Sequence, residues 1–108
     1  MYCFVVSFDM IPENVVEGDK WLMEFGIPFW AAQDCVKRAT LLKQGLSTYP
    51  KRTIMLEVTS LDALQKILGA PDRLEKRREF EKYVTNESSY VLEYMADSNT
   101  DGDIQLVS

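Results

Sequence analysis

Bulky apolar side chains take every second position at the start of the chain. Tyr2, Phe4, Val6 and Phe8 alternate with Cys3, Val5, Ser7 and Asp9. A period of two marks an extended strand with one large apolar face, so Tyr2–Phe8 reads as a strand. The alternation returns at Ile54, Leu56 and Val58, set against Met55 and Glu57, and predicts a strand over Arg52–Thr59. It returns again at Tyr90, Leu92 and Tyr94, set against Val91, Glu93 and Met95, and predicts a strand over Ser89–Met95. A fourth strand, Cys35–Lys43, is part-exposed because Lys37, Arg38 and Lys43 break its apolar run.

Between the strands the period lengthens. Val15, Leu22 and Phe25 share one helical face, and Gly18 allows close approach to a sheet. A helix is predicted from Pro12, which suits a first turn, to Phe25, with Gly26 and Pro28 ending it. Gly26–Gln33 reads as irregular or as a short, aromatic-rich helix. Gln44–Lys51 reads as a loop. Ser60 is a fitting N-cap for Leu61, Leu64, Ile67 and Leu68. Gly69 interrupts, Pro71 restarts, and Asp72–Val84 reads as a charged helix with i,i+4 pairs such as Asp72 with Lys76 and Arg77 with Glu81. Its inner side carries Leu74, Phe80 and Val84.

The order β-α-β-β-α-β predicts an α+β, ferredoxin-like domain over residues 1–96, followed by a flexible acidic tail over 97–108. The large apolar face, with Tyr90, Leu92 and Tyr94 included, is expected under the helices. The opposite face would carry Cys3, Val5, Ser7, Asp9, Met55, Glu57, Val91, Glu93 and Met95. That face is too apolar for full exposure, so a second copy is expected to pack on it sheet to sheet.

Composition narrows the chemistry. The 108 residues include no histidine, which removes a Ser-His-Asp triad, a Cys-His pair and most zinc sites. No metal site and no cofactor are expected. The net charge of −5 disfavours nucleic acid as a partner. No apolar run is long enough for a membrane span, and no leader is read at the start, so the cytoplasm is expected. Cys3 and Cys35 read as buried free thiols. Asn86-Glu87-Ser88 fits a glycosylation acceptor, a weak signal without a secretory leader. Asp97–Ile104 matches the first eight positions of a calcium loop, but Ser108 stands where the closing Glu belongs, so a plain acidic tail is the preferred reading.

Two segments carry a family resemblance. They are Asp19-Lys20-Trp21 followed by Gly26-Ile27-Pro28, and Thr53–Leu64 followed by Ala70-Pro71 and Phe80. On them the chain resembles the dimeric α/β-barrel superfamily, nearest to small EthD-like proteins. The resemblance implies two ferredoxin-like subunits joined into one barrel. It further implies activities such as cofactor-independent oxygenation, lactone or chlorite conversion, or haem handling. Relatives often place a histidine just before the Ile-Pro. Here that residue is Gly26, so no histidine-based role carries over.

Two constellations could carry chemistry. Asp9, Glu57 and Glu93 fall on one predicted sheet face, where mutual repulsion could create a general acid or base. Trp21, Phe25, Phe29 and Trp30, with Arg38, could wall a site for a flat apolar ligand. The expected function is binding of a small apolar or aromatic molecule in the barrel cavity, with cofactor-independent oxygenase or isomerase-like chemistry. The alternative is a non-catalytic homodimeric assembly or regulatory module.

Overall fold

The computed structural model describes residues 1–46, 50–98 and 102–106. The chain runs β1 (Tyr2–Met10), a 3-10 turn (Pro12–Asn14), α1 (Val15–Trp21), a π-helical turn (Leu22–Gly26), α2 (Ile27–Ala31), β2 (Val36–Lys43), β3 (Lys51–Val58), α3 (Leu61–Leu68), α4 (Pro71–Phe80) and β4 (Val84–Glu93). The four strands form one antiparallel sheet in the order β2-β3-β1-β4. This is the ferredoxin-like α+β arrangement expected from the strand and helix order.

Phe4, Val6, Phe8 and Met10 of β1 join Ile54, Leu56 and Val58 of β3 in the core. Trp21, Leu22, Leu64 and Phe80 come down on them from the helices. Gly18 is needed where α1 crosses the sheet, since a Cβ there would overlap Met10 Cε and press Tyr83 Cβ at 3.1 Å. Ser60 caps α3, its hydroxyl oxygen accepting from the Ala63 N–H at 3.2 Å. Arg52 ties β3 to α1 through a bidentate pair with Asp19, at 3.0 and 2.9 Å.

Three expectations are corrected. First, Gly26 and Pro28 do not end the first helical segment. The Ile27 N–H reaches the Leu22 carbonyl, one residue further back than in an α-helix. The widened turn makes room for Pro28, whose missing N–H and bulky ring would disrupt a regular α-turn. Second, the charged helix stops at Phe80, and β4 starts at Val84 rather than Ser89.

Third, β4 presents the opposite faces. Ser7 pairs with Ser88, but Asp9 pairs with Thr85, so β4 carries one extra residue between those pairs. Asn86, at φ 53°, sits in that bulge. A bulge of one residue reverses the sidedness of the rest of the strand. Val84 therefore points into the core, while Val91 and Glu93 lie opposite Phe4 and Tyr2 on the helix side. Tyr90 and Leu92 lie opposite Val5 and Cys3 on the outer face, half exposed at 51% and 50%.

Residues 97 onward were expected to form a flexible tail. Ala96–Ser98 (β5) and Ile104–Leu106 (β6) pair there as a separate two-stranded ladder whose six residues are exposed. Positions 99–101 of the calcium-loop match lie outside the described residues.

Asparagine tolerates the left-handed region that a β-branched residue resists. Asn86→Gly and Asn86→Val both lose the bond from Asn86 Nδ2 to Asp9 Oδ2, but only valine is strained there. The valine variant should unfold more readily than the glycine variant by about 1–2 kcal/mol in urea titrations. Equal stabilities would mean that the bulge does not need a left-handed residue.

Candidate functional site

Among the described residues a pocket lies between the helix layer and the sheet, within this one chain. Phe4, Val6 and Ile54 form its floor. Trp21, Leu22 and Gly26 wall one side, and Phe29 and Trp30 another. The rings meet edge to face: Phe4 with Trp30 at 6.2 Å and 67°, and Phe29 with Trp30 at 5.4 Å and 69°. Such contacts hold the rings more firmly than area burial alone. The Trp21 indole N–H donates to Glu79 Oε2 at 3.0 Å, fixing that wall to α4.

The remaining lining is charged. α4 contributes Arg73, Lys76 and Arg77, and β4 contributes Glu87. Arg77 Nη1 and Nη2 donate to the two oxygens of Glu87 at 2.8 and 2.6 Å, and Arg77 Nε lies 3.2 Å from Glu81. Hydrogen bonding to Glu87 is the main cause that pushes the Arg77 guanidinium above its ordinary value. Burial, and then the like charge of Arg77, pushes Arg73 below its ordinary value. The pocket volume is about 50 Å³, room for a few waters as it stands. A larger groove of about 260 Å³ runs over the outside, along Phe25, Lys76, Lys82 and Tyr83. It shares Trp21 with the first pocket but is otherwise lined by exposed or part-exposed side chains, whereas Phe4, Val6, Leu22, Ile54 and Phe80 of the core all line the smaller one, which is the better ligand site.

The predicted residues are scattered over this frame. Trp21, Phe29 and Trp30 border the pocket together. Phe25 turns outward, half exposed at 49%, beneath the Lys76 ammonium at 5.5 Å. Arg38 stands across from Glu57 on β2, on the outer sheet face. Asp9 and Glu57 share that face but lie near opposite ends of it. Glu57 faces Cys3, six residues from Asp9, a span of about 20 Å. Glu93 is on the other face, because of the bulge. The three carboxylates therefore do not converge.

Glu57 instead accepts a hydrogen bond from the Tyr94 hydroxyl at 3.3 Å. Burial and then the Glu57 charge raise both the Cys3 thiol and the Tyr94 hydroxyl above their ordinary values.

Arg73, Arg77 and Glu87 escaped the sequence reading. The signal was there: Arg73, Arg77 and Phe80 are spaced i, i+4, i+7, so whatever buries Phe80 also draws those arginines inward. Among the described residues no cluster of three or more potential metal ligands occurs, and no helix is long and apolar enough to cross a membrane.

No family model matches this chain, and no curated protein matches it. Solved structures do. A Deinococcus radiodurans protein classed with the antibiotic biosynthesis monooxygenases superposes with a TM-score of 0.78 at 15% identity, over 92% of this chain and 97% of its own. SnoaB, a cofactor-independent oxygenase from Streptomyces nogalater, superposes with a TM-score of 0.66 at 19% identity, over 85% and 90%. A dimeric protein of unknown function and ferredoxin-like fold from Bacteroides fragilis gives 0.65 at 12%, over 86% and 95%. The chain shares the ferredoxin-like fold of these proteins.

With Cys35 replaced by serine, native Cys3 should react with iodoacetamide at pH 8 at least about tenfold more slowly than in the urea-unfolded chain. Equal rates would show that the thiol is neither buried nor held protonated.

Proposed function

We propose that this protein is a homodimer of the dimeric α/β-barrel type that binds a small aromatic or apolar molecule in the helix–sheet pocket and oxygenates it without a cofactor. One observation carries the reading. An aromatic-walled pocket holds a single carboxylate among its lining residues, Glu87, and an arginine orients that carboxylate through two hydrogen bonds. The likeness to SnoaB agrees with it.

Glu87 is the candidate base in place of Asp9, Glu57 and Glu93, none of which borders the pocket. Its carboxylate would take a proton from an acidified CH2 of the ligand. The carbanion, spread over the aromatic system, gives an electron to O2, and the two radicals combine to a hydroperoxide as the proton returns. Loss of water then leaves a ketone, so CH2 plus O2 becomes C=O plus H2O. Arg77, a positioning residue, would place positive charge beside the developing anion, and Trp21, Phe29 and Trp30 would keep water out. Proton return at a second carbon would give isomerase-like chemistry with the same groups.

The dimer is supported by the outer sheet face. Tyr90 and Leu92 are half exposed there beside part-buried Met55, Val5 beneath them is already buried, and Ile104 and Leu106 of β6 are exposed nearby in sequence. That is more apolar surface than a lone subunit comfortably leaves wet. The finer kinship to small EthD-like proteins rests on Asp19-Lys20-Trp21 and Thr53–Leu64, and a cytoplasmic setting fits two free thiols. A non-catalytic homodimeric module is the second reading, favoured by the small cavity.

Two measurements test the proposal. With a panel of fused-ring phenols and ketones bearing acidic C–H groups, oxygen uptake in the presence of a chelator should fall about a hundredfold in Glu87→Gln. No uptake with any member would favour the non-catalytic module. In sedimentation runs, Leu92→Glu should raise the dimer Kd roughly 30-fold or more. A monomeric wild type would end the barrel.

A further inference from the structure

The rim of the pocket is basic, although the chain as a whole carries a net charge of −5. Its cations are not equivalent. Arg77 is matched by Glu87 and Glu81, and Lys76 lies 3.8 Å from Glu79. Arg73 has no such match among the described residues. Its one hydrogen bond there goes from Nη1 to the Leu68 carbonyl, a long 3.4 Å. A half-buried guanidinium has lost part of its hydration, and the carboxylates that act on it, Glu87 and Glu81, do so from a distance, since both are bound to Arg77 and neither hydrogen-bonds Arg73.

We propose that Arg73 is the recognition group for a carboxylate on the ligand, so that the pocket takes flat aromatic carboxylic acids. The proposal rests on the pocket being the ligand site and adds the substrate class. Several features select a carboxylate. The guanidinium offers a planar fork of donors that matches a carboxylate in two parallel hydrogen bonds. A dianionic phosphate would set two charges beside Glu87, on the same rim, with only one uncommitted cation to meet them. The ring attached to the carboxylate would lie among Trp21, Phe29 and Trp30, whose edges and faces suit a flat π-system. A neutral ligand would leave Arg73 poorly solvated and unpaired, so the site would discriminate by charge as well as by shape.

The test compares benzoate with its neutral isostere benzamide, followed through the indole N–H signals of Trp21 and Trp30 by NMR at pH 7. Benzoate should bind about tenfold more tightly than benzamide to the wild type, the worth of a charge-assisted hydrogen bond. Arg73→Gln should bring the two ligands within about twofold of each other. Arg73→Lys should restore most of the preference for the anion. If both compounds shift the indole signals with equal affinity, or if Arg73→Gln keeps the preference, the carboxylate assignment is overturned while the pocket stands. If neither compound moves those signals at millimolar concentration, the pocket reading falls and this inference with it.

Discussion

One residue too many in β4 governs how this molecule divides its labour. Between Ser88 and Thr85 the strand takes in an extra position opposite β1, with Asn86 in the left-handed region. A sheet has only two sides, so an odd insertion exchanges them for every later residue. Upstream, Val84 is sealed in the core. Downstream, Glu87 comes under the helices to meet Arg77, and Tyr90, Leu92 and Tyr94 come out on the free face. The pocket's single carboxylate and the greasy outer surface thus have one local cause. Asn86 secures it twice, by tolerating the backbone angle and by donating to Asp9, a buried group at the same end of β1.

The bulge also explains what the sequence could and could not tell. In β1 and β3 the alternation of large and small side chains is uninterrupted, and both faces are legible from it. Ser60 and Gly18 are legible too, because a cap and a close approach are local demands. β4 misleads for a specific reason. Tyr90, Leu92 and Tyr94 have the size and spacing of core residues, and periodicity alone cannot say which side a strand offers. Their parity matches Val84, which is in the core, until the inserted residue breaks the count. The π-helical turn hides in the same way. Gly26 and Pro28 look like a terminus, yet one wide turn lets the helix continue and brings Gly26 to within 3.1 Å, at its virtual Cβ, of the Trp21 ring.

The candidate site was half legible. Aromatic residues announce themselves, and Trp21, Phe29 and Trp30 do converge. The charged residues do not, because α4 is so rich in charge that its inner face resembles its outer one. Only the anchor at Phe80 distinguishes them, and it places Arg77 and Arg73 one and two turns back on the buried side. Asp19 is the reverse case. It sits in a segment that reads as a family mark, and its work here is structural, binding Arg52 so that α1 is tied to β3.

Burial gives these charges their meaning. On the outer side of α4 an ion pair is worth a few tenths of a kcal/mol and dissolves in salt. Beneath the helices the same groups are partly stripped of water, and each must find a counterpart or remain costly. Glu87 finds Arg77 from another element, which locks β4 to α4 at the pocket wall. A small cavity with aromatic walls keeps its Arg77–Glu87 pair satisfied without a ligand, and Arg73 is the lining cation that pair leaves over. The cavity has little to gain from closing further and, with a widened helical turn in one wall, a place where it can give. A dimer formed on the far face of the sheet would leave this pocket untouched, so binding and assembly can each be altered without destroying the other.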